Sequence, residues 1–517
     1  MPQIRRVGLD LPVLAALAAG AGFVALQLWA FTLAGVFEYP LDDVYIHLAM
    51  AANMVQGTYG INAGEPASAA SSILYPVLLM PFAGTEVQRL LPLLWNGVAL
   101  VFCGWLWGRA LVMGGLSGGV GVALALLGPL ALNMPGVGYT GMEHTLHTAA
   151  SLATVLGLAI FLREGRVAPW FVLAVVVAPL FRLEGLALSL LAAGVVAVRG
   201  QLRSGVMLGL AVVVPVLAFA AFLMGLGLAP LPGSVLAKVG LAAPLGSGLM
   251  RLVMAVKVNL STPPGQLLAV LTMLCALLPL ALSGRRRPEI WLLAVVAVAG
   301  VAHLLAGQIG WMHRYEHYII AAQITAMVIS TKGVTGPRAA WRWRAMLGFL
   351  LAIAALAFWP KVAQRYIWNT RAVYLQQTQM GRFVQGWLKA PVAINDLGRI
   401  AWGNPDYVLD LYGLASPKVL ELRLSGDTPK GWAAPLAQSK GAQMAIIYDR
   451  WFETAMGPDW RRLAVLRMDP YRGALGGGEV SFYATDPSLA PAQLALLRDF
   501  APTLPAGAYL SFEAGTQ

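Results

Sequence analysis

The chain has 517 residues, of which 58% are hydrophobic and only 12% charged, with a formal net charge of +12. A charged share about half that of an ordinary soluble domain excludes a simple soluble enzyme and describes an integral membrane protein. The excess of positive charge does not mark a nucleic-acid binder, because before residue 360 the basic residues fall in short clusters between apolar runs, as membrane topology requires. Cys103 and Cys275 each stand alone inside an apolar run and read as small packed hydrophobes rather than as a disulfide.

The first apolar run, residues 11–37, follows Arg5 and Arg6 in the manner of a signal peptide. It exceeds the length of a signal h-region and leads directly into Glu38-Tyr39-Pro40-Leu41-Asp42-Asp43, so it reads as an uncleaved first helix. Further apolar segments follow at 87–108, 117–134, 142–162, 168–181, 185–198, 205–228, 266–282, 290–309, 316–331 and 345–359, which predicts about eleven membrane helices. With the N-terminus cytoplasmic, the inner connections carry Arg109, Arg163, Arg166, Arg199, Arg203, Arg285-Arg286-Arg287, Lys332, Arg338, Arg342 and Arg344, in keeping with the positive-inside rule. The opposite connections carry Glu38, Asp42, Asp43, Glu65, Glu86, Glu143, Glu184 and Glu316, and an odd helix count places the C-terminus outside.

Three outer stretches exceed ordinary turns. Residues 43–56 predict an amphipathic helix at the interface, 69–83 a short re-entrant or interfacial piece, and 229–265 a long loop containing Lys238, Arg251 and Lys257. The glycines of Gly114-Gly115-Leu116-Ser117-Gly118-Gly119 lack the Lys-Ser/Thr of a phosphate loop and read as close helix packing. After Trp359-Pro360 polar residues become common. Short β-type runs at 392–394, 407–409, 444–448 and 480–483 predict a separate soluble α/β or α+β domain over residues 360–517, with 1–359 as the membrane domain.

Ionisable groups gather on the predicted outer side: Asp42, Asp43, His47, Glu143, His144, His147, Arg182, Glu184, Lys238, His303, His313, Arg314, Glu316 and His317. Any one histidine there reads as a structural partner, but such groups arriving from several helices are expected to line a polar cavity. A carboxylate can take the proton of an attacking alcohol, and Lys or Arg can stabilise charge on a departing phosphate. Together they point to transfer of a group from a membrane-held phosphate to a hydroxyl. Neighbouring residues on a helix point about 100° apart, so one Asp is the base and the other caps the helix or orients the acceptor. Asp42, which precedes the helix, is the favoured base. Glu143-His144 and His147 could share a helix face, which leaves a divalent metal as an alternative although no strong metal spacing is present.

At these residues the chain resembles the GT-C glycosyltransferases, integral membrane enzymes that use polyprenyl-phosphate-linked sugars. Asp42-Asp43-Val44-Tyr45-Ile46 is similar to the family's first-loop acidic motif, in the Asp-Asp-Ala-Tyr-Ile form of bacterial members akin to cell-wall arabinofuranosyltransferases, with Val44 in place of the small residue. Gly57-Thr58-Tyr59-Gly60-Ile61-Asn62-Ala63-Gly64-Glu65 and Ser71-Ser72-Ile73-Leu74-Tyr75-Pro76 resemble the segment after it. Gly141-Met142-Glu143 and Arg182-Leu183-Glu184-Gly185 resemble later acidic landmarks, and Leu231-Pro232-Gly233-Ser234-Val235-Leu236-Ala237-Lys238 a long-loop motif in which Gly233 stands where Asn is usual. His313-Arg314-Tyr315 resembles the Arg-Tyr of a late helix, and Ile394-Asn395-Asp396-Leu397-Gly398 with Leu409-Asp410-Leu411-Tyr412-Gly413-Leu414 resembles strands of the periplasmic domain.

The resemblance implies a GT-C-like bundle in the bacterial inner membrane and an inverting transferase. Its donor would be a sugar, first of all a pentose such as arabinofuranose, on a polyprenyl phosphate, and its acceptor a hydroxyl of an envelope glycan, lipid or protein. It implies Asp42 or Asp43 as the base, Lys238 and Arg314 on the donor phosphate, and Tyr45, His47, Glu143, His144, Arg182, Glu184, His313, Tyr315 and His317 around the pocket. The rival class is a transporter or lipid-carrier flippase with the Asp pair as a proton or ion relay, but such proteins favour inverted repeats and midplane polar groups.

Overall fold

A computed structural model describes residues 10–241, 248–281, 288–426 and 428–513. The Arg5-Arg6 pair and the Arg285-Arg286-Arg287 run lie outside the described residues. Every apolar segment forms an α-helix, among them Leu11–Ala34, Leu91–Met113, His144–Glu164, Leu202–Gly225, Pro263–Ala281, Pro288–Ala306 and Pro337–Gln364. Among the described residues, eight helical stretches are long and apolar enough to cross a membrane, while Pro169–Phe181 and Gly185–Val198 are apolar but shorter. Large apolar side chains such as Leu17, Val24, Leu210, Val214 and Leu217 stand exposed along these helices, which is sensible only against lipid. This is a membrane protein.

The described chain divides into two compact units. The first comprises Met1–Gln27, Leu93–Leu217 and Pro244–Ala363. Its helices pack closely through small residues: a Cβ on Gly108 would come within 2.4 Å of Pro12 Cα, so only glycine lets the two backbones approach. Gly114 likewise faces the Val328 carbonyl, whereas Gly115 and Gly118 have positive φ and form the turn between helices. Polar groups inside the bundle are cross-tied, as an apolar solvent demands. Gln323 Nε2 donates to Thr272 Oγ1 at 2.8 Å and to the Val296 carbonyl at 3.1 Å. Arg163 donates to the Met113 and Ile329 carbonyls and pairs with Glu289 at 3.2 Å. Cys103 and Cys275 are buried free thiols.

The second unit comprises Leu28–Pro92, Ala218–Ala243 and Gln364–Gln517. Its sheet contains β1 (Val392–Ile394), β2 (Val408–Asp410), β3 (Met444–Ile447), β4 (Arg461–Met468), β5 (Glu479–Ala484) and β6 (Ala508–Phe512), in the order β2-β1-β3-β5-β4-β6. β1 runs parallel to β2 and β3, and the remaining pairs are antiparallel. The buried Asp410 carboxylate accepts the Tyr412 and Ala415 N–H groups at 2.8 Å each and so closes the loop after β2.

Two local expectations change. The helix Asp43–Val55 forms where expected, but Val44 through Ala52 are all buried, so it is a core helix and not an amphipathic one at an interface. The described residues of 229–265 are largely helical, as Gly233–Leu241 and Gly248–Leu260, rather than a long loop.

Candidate active site

In the second unit β1 is flanked on both sides by later parallel strands, so the chain leaves it one way for β2 and the other way for β3. The carboxyl ends of β1 and β3 therefore border a topological switch point, the place where open α/β sheets hold ligands. Asn395 and Asp396 follow β1 there, and Tyr448 follows β3. Asn395 Oδ1 accepts the Tyr448 N–H at 2.8 Å. Asp396 Oδ2 accepts from the Tyr448 hydroxyl at 2.8 Å and from Gln377 Nε2 at 3.0 Å.

The same loop then delivers Gly398 and Arg399, whose N–H groups donate to Asp42 Oδ2 and Oδ1 at 2.7 Å each. Asp42 stands at the N-cap position of Asp43–Val55 but makes no side-chain capping bond. Its carboxylate is instead clamped by two backbone donors more than three hundred residues away in sequence. Burial, reinforced by the charge of Asp396, pushes the Asp42 carboxyl up to about 8 against the pull of the Arg399 and Gly398 N–H groups, with Asp43 adding to the rise. Burial also raises Asp396, and Asp43 contributes, although Gln377 and Tyr448 oppose the shift. Asp42 and Asp396, with the Asp43 charge acting on both, thus hold their protons more tightly than separate carboxyls would.

Tyr45 is fully buried, and the Arg399 guanidinium lies 5.3 Å from its ring. Its hydroxyl bonds to Glu38 Oε1 and accepts from Arg89 Nε at 2.9 Å. Glu38 in turn pairs with Arg89 at 3.4 Å and accepts from Thr378 Oγ1 at 2.6 Å. Tyr45 is therefore a strut of the first loop. His47 is buried against the Tyr75 ring, centroids 5.3 Å apart, with Nε2 3.4 Å from Ser71 Oγ. Lys238 falls on the helix Gly233–Leu241, and its side chain lies outside the described residues.

The first unit holds a second constellation. Arg182 donates to Glu143 at 3.0 Å and forms a two-pronged pair with Glu184 at 2.5 and 3.2 Å. Burial works against ionisation of Glu184, but Arg182 prevails and holds its carboxyl down to about 2. The Tyr315 ring lies 5.4 Å from the Arg182 guanidinium and 5.1 Å from that of Arg314, and His144 meets the same ring edge-on at 5.5 Å. Arg314 is 1% exposed, a charge that burial makes costly unless surrounded by such partners. His147 packs on Tyr318 at 4.2 Å, and His303 meets the Tyr318 hydroxyl at 3.2 Å.

Gly310, Trp311, Met312 and His313 all have positive φ, of 102°, 46°, 65° and 59°. Such a left-handed turn costs about 1–2 kcal/mol for each non-glycine residue, and backbone strain of this sort gathers at functional sites. Glu316 holds it by accepting the Gly310 N–H at 2.8 Å, and His313 Nδ1 lies 3.4 Å from the same carboxylate. His317, expected in the pocket, instead ties helices together: its Nε2 lies 2.8 Å from the Leu132 carbonyl and its Nδ1 3.0 Å from Thr148 Oγ1.

The expected residues thus fall into two groups, with Asp42, Asp43, Tyr45, His47 and Lys238 in one unit and Glu143, His144, Arg182, Glu184, His313, Arg314, Tyr315 and His317 in the other. Sequence reasoning assigned no chemistry to Asp396, Gln377 or Tyr448. The available signal was an Asn-Asp pair directly after a β-type run, where a strand's carboxyl end would present it. Among the described residues no three His, Cys, Asp or Glu are placed to hold a metal ion.

Residues 366–483 match a family model described as a domain of unknown function (DUF8728). The matched stretch carries β1 to β4 and with them Gln377, Asp396, Gly398, Arg399 and Tyr448. No curated protein matches the chain.

Proposed function

We propose that the protein is an inverting membrane glycosyltransferase of the GT-C kind, transferring a sugar from a polyprenyl-phosphate carrier to a hydroxyl of an envelope glycan, lipid or protein. The observation that supports this reading is that the Gly398 and Arg399 N–H groups hold Asp42 beside Asp396, while Asp42 makes no side-chain capping bond to its own helix. Asp42 is then the anchor and Asp43, the first helical residue beside it, the base, the reverse of the order favoured from the sequence. Asp43 takes the acceptor proton as that oxygen attacks the anomeric carbon, and the bond from that carbon to the phosphate breaks to release polyprenyl phosphate. Attack opposite the leaving group inverts the anomeric centre.

Lys238 and Arg314 belong to the proposal through the resemblance, as cations for the donor phosphate. So does the topology of about eleven spans with a cytoplasmic N-terminus and residues 360–517 outside, in a bacterial inner membrane. Pentose donors such as arabinofuranose are the first to try. The test incubates purified protein with a labelled lipid-linked sugar and an acceptor extract. Acceptor-dependent release of polyprenyl phosphate is expected, whereas movement of intact labelled lipid across a vesicle membrane without release would point to a flippase.

A further inference from the structure

The sheet of the second unit also carries a groove of about 470 Å³, within the range of small-molecule sites. Its aromatic wall is Tyr448 and Trp451, ring centroids 5.2 Å apart. Trp451 remains 45% exposed, an unusual state for the largest apolar side chain. The backbone of Gly476 lies against both rings: a Cβ on it would come within 2.7 Å of Tyr448 and 2.8 Å of Trp451. Any side chain there would collide with the wall, so glycine is needed to keep the groove's shape.

The charges of the groove balance, with Arg450, Arg462 and Arg467 against Asp449, Glu479 and Glu513. Arg462 bonds to Glu513 at 2.5 Å and pairs with Asp449 at 3.2 Å, and Arg467 pairs with Glu479 at 3.5 Å. A lining so balanced does not attract a polyanion such as a nucleic acid or a polyphosphate. It presents alternating hydrogen-bond donors and acceptors beside an open indole face. A neutral sugar needs this combination, since its hydroxyls bridge such pairs while its C–H face stacks on an aromatic ring. The groove adjoins the carboxylate cluster through one shared residue, because the Tyr448 ring lines it and the Tyr448 hydroxyl bonds to Asp396.

We propose that this groove binds a neutral oligosaccharide, the growing chain that presents the acceptor hydroxyl. The role as acceptor rests on the transferase reading, but the binding itself does not. The test uses the full chain in phosphatidylcholine nanodiscs, which avoid sugar-headed detergents, titrated calorimetrically with arabinan, galactan and mannan tetrasaccharides. Saturable binding of at least one is expected. Trp451→Ala, which removes the stacking face, and Ser511→Trp, which fills the groove, should each weaken it about tenfold or more, as loss of a packed aromatic anchor does. Trp451→Phe should retain intermediate affinity. Absence of binding to all three sugars, or binding that neither variant weakens, overturns the inference. Binding lost in Trp451→Ala without polyprenyl phosphate release by the parent would leave the groove standing and remove the transferase. Release without binding would do the opposite.

Discussion

Asp42→Asn isolates the anchoring role of the first acidic residue. The parent carboxylate offers one oxygen to each of the Gly398 and Arg399 N–H groups, both at 2.7 Å. A carboxamide has a single acceptor oxygen, so one of these bonds is lost and the new NH₂ faces a backbone donor. Above pH 8, where the Asp42 carboxyl is ionised, a hydrogen bond to it contributes about 1.5–3 kcal/mol net, so at pH 9 the loop of the variant should open about 2 kcal/mol more easily. That corresponds to roughly 30-fold faster amide exchange, at tenfold per 1.4 kcal/mol. The assay is hydrogen–deuterium exchange with mass spectrometry on peptides covering residues 396–402. Asp43→Asn, which leaves both of the Asp42 bonds in place, should leave the same peptides within about threefold of the parent. If Asp42→Asn leaves their exchange within about threefold as well, the clamp contributes nothing and the division of labour between the two Asp residues fails.

A folded-state Asp42 value of about 8 means that the folded protein holds this proton more tightly than the unfolded chain does. Its contribution to stability is therefore full below about pH 4 and is lost as pH rises through 8, so the melting temperature should fall between pH 5 and pH 8.5 with a shallower slope in Asp42→Asn. Equal slopes in parent and variant would contradict this. Arg182→Ala strands the buried Glu143 and Glu184 carboxylates and should cost about 3–5 kcal/mol, seen as loss of a monodisperse peak on size exclusion, with Arg182→Lys intermediate. Gly398→Ala puts a Cβ within 2.1 Å of the Asp42 carbonyl oxygen, so the loop must move; a stability loss of about 1–3 kcal/mol, read as a lowered melting temperature, is expected, and an unchanged melting temperature would mean the approach is looser than described.

The helices were legible because the length of an apolar run is set by bilayer thickness and needs no partner to be read. The same holds for the position of Asp42-Asp43 at the end of the first run. What Asp42 binds was not legible, because Gly398 and Arg399 are brought to it by tertiary folding and leave no local trace beside it in sequence. The helix after the pair was misread as amphipathic since Leu48-Ala49-Met50-Ala51-Ala52 offers no polar face, a pattern that fits burial on all sides better. β4 escaped notice because Leu463, Ala464, Val465 and Leu466 are all buried rather than alternating, and the flanking arginines resemble those of a helix. His317 drew attention as an ionisable residue near the outer face, yet its ring is occupied by a carbonyl and a threonine hydroxyl. Histidine on a buried helix face takes such a role as readily as a catalytic one.

The most direct measurement is the single-turnover rate of sugar transfer at saturating labelled donor, compared between the parent and Asp43→Asn, each shown to be inserted and monodisperse. A general base contributes about 10²–10⁴-fold, so the variant should fall by at least the lower figure while its donor affinity stays near the parent's. An Asp43→Asn protein that keeps more than about a tenth of the parent rate would contradict the assignment of Asp43 as the base and, with it, the mechanism proposed for this carboxylate cluster.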